Sequence, residues 1–357
     1  MTTPMKPRIG ILGAGQLALM LAEASKSLGV DVICAGQPGD CAEQAAEVLT
    51  VDLDDTAAVA AFAGAVDLVT IESENIHADV LHGLNLYPNA RAVGIAQDRL
   101  LEKRFFHECG IGTAPFAPVD SLEALQHAMD KVQLPAILKT RRMGYDGKGQ
   151  VRLRNIEDAA DAWADVGGVP CILEGMVNFE IEVSLIAARA RAGQIVFYPL
   201  IENRHREGIL RMSIAPFVNQ QLQKQAEDYL TALLERLDYI GVLAVEFFVV
   251  DGTLLANEMA PRVHNSGHWT IEGSATSQFE NHLRAIVGME LGATKSSPTV
   301  MLNCIGSMPG EKETSAFPEI SRHDYGKEPR PGRKVGHLTF PASARAAIAE
   351  WQKRLQD

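Results

Sequence analysis

The stretch Lys139-Thr140-Arg141-Arg142-Met143-Gly144-Tyr145-Asp146-Gly147-Lys148-Gly149-Gln150 follows the apolar run Ala136-Ile137-Leu138 and carries glycines at 144, 147 and 149. A lysine ends one strand pattern, and the next begins at once over residues 150–153. Glycine lets a backbone come close to phosphate oxygens, and cationic side chains neutralise them. This is not a Walker loop: Lys148 is followed by Gly149 rather than Ser or Thr, and no helical pattern follows. The plainer reading is an exposed basic hairpin tip, although three glycines are more than a turn needs.

Upstream, residues 8–12 read as a short apolar strand and Gly13-Ala14-Gly15 as a tight turn. Residues 16–28 read as a helix with Leu17, Met20, Leu21 and Ala24 on one face, ended by Gly29. Strand patterns at 30–35 and 66–71 flank a helix at 56–63. Such alternation predicts an α/β unit with a parallel, doubly wound sheet, running to about residue 95. Gly13-Ala14-Gly15-Gln16-Leu17-Ala18 fits a dinucleotide-binding turn. The second strand, however, ends Val32-Ile33-Cys34-Ala35-Gly36, without the acid that would hold a ribose. That argues against NAD. It leaves the turn to cradle another phosphorylated ligand or to pack helix on strand.

Downstream, residues 96–109 read as a charged helix, 110–118 as linker-like and 122–132 as a helix. Strand patterns at 136–139, 150–153, 171–174, 180–188 and 195–200 predict an antiparallel α+β unit. A strong amphipathic helix, residues 220–238, presents Leu222, Ala226, Leu230, Leu233, Leu234 and Leu237. Strands at 242–250 and 254–259, a helix at 276–287 and a Pro- and Gly-rich closing unit from about 298 complete the pattern.

Glu246 and Glu258 lie in the middle of those last two strands, where a charge is costly unless it is paired or binds metal. Asp251-Gly252 marks the hairpin between them. A two-residue loop would set Glu246 opposite Asn257; a three-residue loop, 251–253, would set it opposite Glu258. Two carboxylates on one face need a cation, and oxygen ligands beside phosphates suit magnesium. The odd-numbered loop, or an equivalent bulge, is therefore expected. The alternative is an acid salt-bridged to Arg262 for structure.

At 357 residues the chain has room for two or three domains, and its net charge of −12 argues against a nucleic-acid partner. An anionic ligand must then find a local basic pocket. The basic residues gather at 139–148 and at Lys327, Arg330, Arg333 and Lys334. Five cysteines without a CxxC pair suggest free thiols in a reducing compartment. No apolar run approaches about 18 residues and no signal-peptide core is evident, so a cytoplasmic protein away from membranes is expected. His264 and His268 sit in a loop-like stretch without HExxH, which argues against zinc.

Several of these segments together resemble the ATP-grasp ligases: Lys139 with its glycine loop, Glu174-Gly175-Met176-Val177, Glu182 and the Glu246/Asn257-Glu258 hairpin. Further segments resemble the ATP-dependent 5-(carboxyamino)imidazole ribonucleotide synthases within that group. They are Ile71-Glu72-Ser73-Glu74-Asn75-Ile76, Gln97-Asp98-Arg99, Asn257-Glu258-Met259-Ala260-Pro261-Arg262, His264-Asn265-Ser266-Gly267-His268 and Arg330-Pro331-Gly332-Arg333-Lys334-Val335-Gly336-His337. The likeness runs in order over nearly the whole chain. It departs at Val263, where the family carries proline.

The resemblance implies a Rossmann-like N-terminal domain (1–95), an ATP-grasp domain (96–295, lid about 113–178) and a C-terminal domain (296–357). It implies ATP-dependent carboxylation of aminoimidazole ribonucleotide with bicarbonate by a homodimer, with ATP and Mg2+. The other ATP-grasp reading is a formate-dependent glycinamide ribonucleotide transformylase. By the resemblance, Arg99 and Lys139 contact ATP phosphates, and Gly144, Tyr145, Asp146, Gly147, Lys148, Gly149 and Gln150 close over them. Glu174, Gly175, Met176 and Val177 form the adenine hinge, and His205 sits beside the nucleotide. Glu182 takes the ribose; it is preferred to Glu180 because Glu-Val-Ser-Leu carries the match. Glu246 and Glu258 hold magnesium, with Asn257 adjacent. Tyr145, Asp146 and Arg262 serve the chemistry, Asp146 positioning or deprotonating the amine. Glu74, Asn75, His264, Asn265 and Ser266 face the substrate. Lys327, Arg330 and above all Arg333-Lys334 anchor its phosphate, with the backbone N–H groups around Gly15 and Gln16 as a second wall.

Overall fold

The apolar runs near the N-terminus enter a parallel sheet because helical crossovers follow the first and third of its strands. The computed structural model describes residues 7–144 and 149–355. Strands β1 (Arg8–Leu12), β2 (Asp31–Gly36), β3 (Glu47–Thr50) and β4 (Leu68–Ile71) pair in the order β3-β2-β1-β4, all parallel. Helices α1 (Gln16–Leu28) and α2 (Thr56–Ala63) fall where their patterns predict, and α1 stops at Gly29 in the left-handed region, φ 64°. Strand β3 is an addition: its half-exposed Glu47-Val48-Leu49-Thr50 makes too weak an apolar run to announce an edge strand.

The charged helix expected over 96–109 is α4 (Arg99–Glu108), and an unexpected helix, α3 (Ala90–Ala96), precedes it. Asp98 breaks the run, because its Oδ1 accepts the N–H groups of Leu100 (3.0 Å) and Leu101 (3.3 Å) and caps α4. A four-stranded antiparallel sheet follows, in the order β5-β8-β6-β7. It comprises β5 (Phe116–Val119), β6 (Ala136–Thr140), β7 (Gln150–Leu153) and β8 (Cys171–Gly175), covered by α5 (Leu122–Val132) and α6 (Ala159–Asp165). The end of the stretch read as linker is β5. This layer has its own core, including Val119, Leu125, Leu138, Leu153 and Leu173.

The remainder builds one nine-stranded sheet. Its first strands are β9 (Ile181–Arg189), β10 (Ile195–Phe197), β11 (Ile201–Arg206) and β12 (Ile209–Ala215). The β11/β12 hairpin escapes a reading by apolarity because β11 is polar throughout after its first residue, Ile201-Glu202-Asn203-Arg204-His205-Arg206. Next come α7 (Gln220–Arg236), β13 (Gly241–Val250) and β14 (Thr253–Ala260), with Leu230, Leu233 and Leu234 of α7 fully buried in the core that contains β13. The short α8 (Thr270–Gly273) and α9 (Gln278–Val287) precede β15 (Thr299–Ile305), α10 (Glu311–Thr314), β16 (Ser321–Asp324), β17 (Lys334–Pro341) and α11 (Arg345–Arg354). Because β15 pairs with β12, the closing segment extends the central sheet.

The β13/β14 turn is the two-residue Asp251-Gly252, both at positive φ (49° and 70°), and Val250 faces Thr253. The odd-numbered loop does not form. The register shifts further along instead: Phe247 faces Ala256 but Glu246 faces Glu258, so Asn257 is a bulge. The carboxylates meet by the second of the two expected routes.

Gly13 has φ 107°, and a Cβ there would lie 2.3 Å from Glu72 Cγ. Gly13→Ala is therefore expected to destabilise the fold by roughly 1–3 kcal/mol, lowering the urea midpoint with an unchanged m-value. An unaltered midpoint would contradict the close approach.

Candidate active site

A cavity of about 890 Å³ opens between the loop after β4, the start of α4, strands β6 and β7, and the β13/β14 hairpin. Helix α4 brings in Arg99, whose Nη1 lies 3.1 Å from Glu258 Oε2 and whose Nη2 donates to the Gly144 carbonyl at 3.1 Å. Strand β6 brings in Lys139, paired in register with Gln150 of β7; both line the cavity. Lys139 Nζ donates to Glu174 Oε2 at 3.0 Å, and Lys103 reaches the same oxygen at 3.5 Å. Burial pushes the Glu174 carboxyl up, but Lys103 and Lys139 outweigh it and hold it at about 2. Lys139 is lowered by burial and by its cationic neighbours, against the pull of Glu174. Tyr145, Asp146, Gly147 and Lys148 lie outside the described residues; Gly144 and Gln150 line the cavity on either side.

Glu174 thus acts through its side chain as the partner of Lys139. In the rest of the expected hinge, Gly175 and Met176 spend their N–H groups on the Pro115 and Pro135 carbonyls (2.8 and 3.0 Å). Met176 and Val177 do not line the cavity, and Met176 is exposed. Phe179, stacked on Phe248 at 4.7 Å between centroids, does line it. On the central sheet, Glu182 of β9 pairs with His205 Nδ1 of β11, whereas Glu180 is exposed. Burial lowers the His205 pKa, but the bond to Glu182 and the charges of Glu246 and Glu258 raise it overall.

Glu246 and Glu258 differ sharply. Burial first, and then the Glu258 charge, push Glu246 up to about 7 against the pull of His205. Glu258 is also penalised by burial, but Arg99 and Lys139 more than offset that and hold it below the usual range. His264 Nε2 is 3.7 Å from Glu246 Oε1, and burial beside Arg262 and Lys334 keeps that imidazole well below its ordinary pKa. Among the described residues no group of three His, Cys, Asp or Glu side chains is disposed to hold a metal ion. A magnesium ion fits the facing pair Glu246/Glu258 only if phosphate and water complete its shell, which is how that ion is usually held.

Arg262 does pair with an acid, but the acid is Glu74 rather than either hairpin carboxylate. The pair is bidentate, Nε–Oε2 2.5 Å and Nη2–Oε1 3.0 Å, and ties β14 to the N-terminal loop. Asn75, His264 and Asn265 line the cavity. Ser266 does not: it is buried, accepting from Ser184 at 2.9 Å and lying 2.8 Å from His264 Nδ1.

The two halves of the expected phosphate anchor are separated. Successive residues at the start of a strand point opposite ways; Lys334 lines the main cavity, and Arg333 lines a neighbouring one of about 620 Å³ with Lys327 and Gly15. Gln16 and Glu72 border both. Arg330 lines neither and is exposed. The expected second wall, the backbone N–H groups of residues 13–16, is partly taken. Glu72 accepts the N–H groups of Gly15 (2.7 Å) and Ala18 (3.1 Å), and Gly13 donates to the Ala35 carbonyl at 3.0 Å. Sequence reasoning misses this role of Glu72, although an acid directly after the buried β4 is the available signal.

Residues 5–97 match the ribonucleotide synthetase preATP-grasp domain and residues 104–279 the ATP-grasp domain, so this is an ATP-grasp protein, a class of ATP-dependent ligases. Residues 299–350 match the phosphoribosylaminoimidazole carboxylase C-terminal domain. The chain is 49% identical over 347 residues to the N5-carboxyaminoimidazole ribonucleotide synthase of Pseudomonas aeruginosa, covering 96% of each. It belongs to the N5-carboxyaminoimidazole ribonucleotide synthase family. The crystal structure of that synthetase from Thermus thermophilus superposes with a TM-score of 0.91 at 49% identity over 97% of both chains. The synthase from Aspergillus clavatus, solved with ADP and 5-aminoimidazole ribonucleotide, superposes at 0.89 with 26% identity over 99% of both.

The raised pKa of Glu246 has a sign that can be measured. A carboxyl raised on folding holds its proton more tightly when folded, so the folded state loses ground as pH climbs from the ordinary 4.5 through about 7. Glu246→Gln is expected to gain melting temperature over the parent at pH 8 in metal-free buffer, with a smaller gain at pH 5. A pH-independent difference would refute the burial of this charge.

Proposed function

We propose that the chain carboxylates 5-aminoimidazole ribonucleotide with bicarbonate and ATP, giving N5-carboxyaminoimidazole ribonucleotide, ADP and phosphate. The observation that carries this reading is one cavity that gathers Arg99, Lys139 and Lys334 with the facing pair Glu246/Glu258, in a chain of this family. We place the work in the cytoplasm and in a homodimer, the setting that the family resemblance implies.

In this reading Arg99 and Lys139 neutralise the phosphates of ATP, which is most of what phosphoryl transfer asks of a protein. Glu246 and Glu258 would hold magnesium, which supplies further positive charge against the phosphate oxygens. A bicarbonate oxygen attacks the γ-phosphorus, the bond to the β-phosphate oxygen breaks, and carboxyphosphate and ADP result. Carboxyphosphate releases carbon dioxide and phosphate inside the closed cavity. The exocyclic amine of the substrate attacks that carbon and loses a proton, giving the carbamate. Asp146 orients or deprotonates the amine beside Tyr145, and Arg262, fixed by Glu74, faces the reacting anions. Residues 144–150 exclude water, which would hydrolyse the intermediate. Lys334 binds the substrate phosphate, with Lys327 and Arg333 across Gln16 in the adjoining cavity.

The test is ADP release with aminoimidazole ribonucleotide, with and without bicarbonate. Release that needs both is expected; release driven by formate and glycinamide ribonucleotide would overturn the assignment. Lys334→Ala is expected to raise the KM for the aminoimidazole substrate by about 10–100-fold while moving the KM for ATP by less than about threefold. Equal effects on both would remove Lys334 from the anchor.

A further inference from the structure

The carboxylates meet only because Asn257 is bulged out of the ladder, and that bulge is gripped from one side by α4. Lys103 Nζ donates to the Asn257 carbonyl at 2.6 Å and reaches the Ala256 carbonyl at 3.5 Å. Its sequence neighbour Glu102 accepts the Met259 N–H through Oε1 at 2.6 Å. The peptide groups on both sides of Glu258 are therefore held by adjacent residues of one helix. Arg99, one turn earlier, meets the Glu258 side chain itself. Glu102 and Lys103 are each 2% exposed. Two ionisable groups that deep are costly unless they are used. Lys103 is also tied, through Glu174, to Lys139. Burial pushes Glu102 up to about 8, with Lys103 opposing and Glu258 adding to the rise.

We propose that Glu102 and Lys103 are positioning residues for the phosphate-transfer centre: they lock the Asn257 bulge, and so the facing of Glu246 and Glu258 on which metal-dependent nucleotide binding relies. The proposal rests on the reading of that pair as the cation site. Glu102 borders the same cavity, but its Oε1 is engaged by the Met259 N–H. Each acts through the backbone on either side of Glu258.

Two variants test it, Lys103→Met, which keeps length and removes the donor, and Glu102→Leu, which removes the acceptor. Supporting residues around a metal site commonly change its affinity by about 10–100-fold. The concentration of free Mg2+ giving half-maximal ADP release is expected to rise in that range, with a fall in kcat and with the KM for the aminoimidazole substrate within about twofold of the parent. In the metal- and nucleotide-free enzyme, amide hydrogen exchange over residues 254–260 is expected to quicken in both variants, while β6 and β8 exchange as in the parent. A merely structural role would lower kcat through a smaller folded fraction, or raise the KM of ATP and of the aminoimidazole substrate alike, without singling out Mg2+, and that outcome overturns the proposal. So does an unchanged Mg2+ requirement in either folded variant. If Lys103→Met does not fold, Glu102→Leu decides alone. If the parent releases no ADP, the proposed function fails by itself; the exchange rates need no turnover and still judge the clamp, unchanged exchange overturning it.

Discussion

Glu246 and Glu258 bring like charge into one cavity, and much of the site is the consequence. Unit charges about 5 Å apart repel by about 3 kcal/mol at an effective dielectric of ~20. The protein splits the burden unevenly. Glu258, beside Arg99 and within the field of Lys139, stays ionised easily. Glu246, deeper and with His205 as its main cationic neighbour, is held closer to neutrality. A divalent cation between them would end the asymmetry. The cations, the bulge and the bent ladder are parts of one solution to a local electrostatic cost.

How much of this is legible in the sequence depends on what each residue answers to. Helices α1, α2 and α5 fall where apolar periodicity and capping residues put them, because local signals decide them. The pairing of Glu246 with Glu258 is legible as a need, since two mid-strand acids ask for a shared face. The route is not, because a bulge depends on Lys103 and Glu102 from another element. The split of Arg333 from Lys334 follows from strand alternation once β17 is known to begin at Lys334. Within a Pro- and Gly-rich tail that boundary is hard to read. The β11/β12 hairpin is hidden because its charged residues, Glu202 and His205 among them, mask strand character. The sequence offers Glu174 only as part of the hinge; the pairing of its side chain with Lys139 comes from the packing of β6 against β8.

The three layers share the site unequally. The small sheet around β6 and β8 has its own core and brings Lys139 and Glu174. Lys334 belongs instead to the long sheet that carries Glu182, Glu246 and Glu258, since β17 pairs with β15 and β15 with β12. Arg262 and Glu74 fasten that sheet to the N-terminal layer. The side of the cavity that carries Glu246, Arg262 and Lys334 is thus joined by continuous hydrogen bonding and one bidentate ion pair. The side that carries Lys139 and Glu174 is built from a separately packed piece.

The turn at Gly13–Gly15 has the shape by which many α/β proteins receive a pyrophosphate at a helix N-terminus. Here the seat already has a tenant, the chain's own Glu72, which accepts the Gly15 and Ala18 N–H groups. The Gly15 end of the socket is plugged from within, and Gly13 and Gly15 leave the room in which the Glu72 side chain sits. Lys327 and Arg333, which border the adjoining cavity, therefore stand opposite a helix N-terminus whose dipole is already partly answered by the chain's own carboxylate.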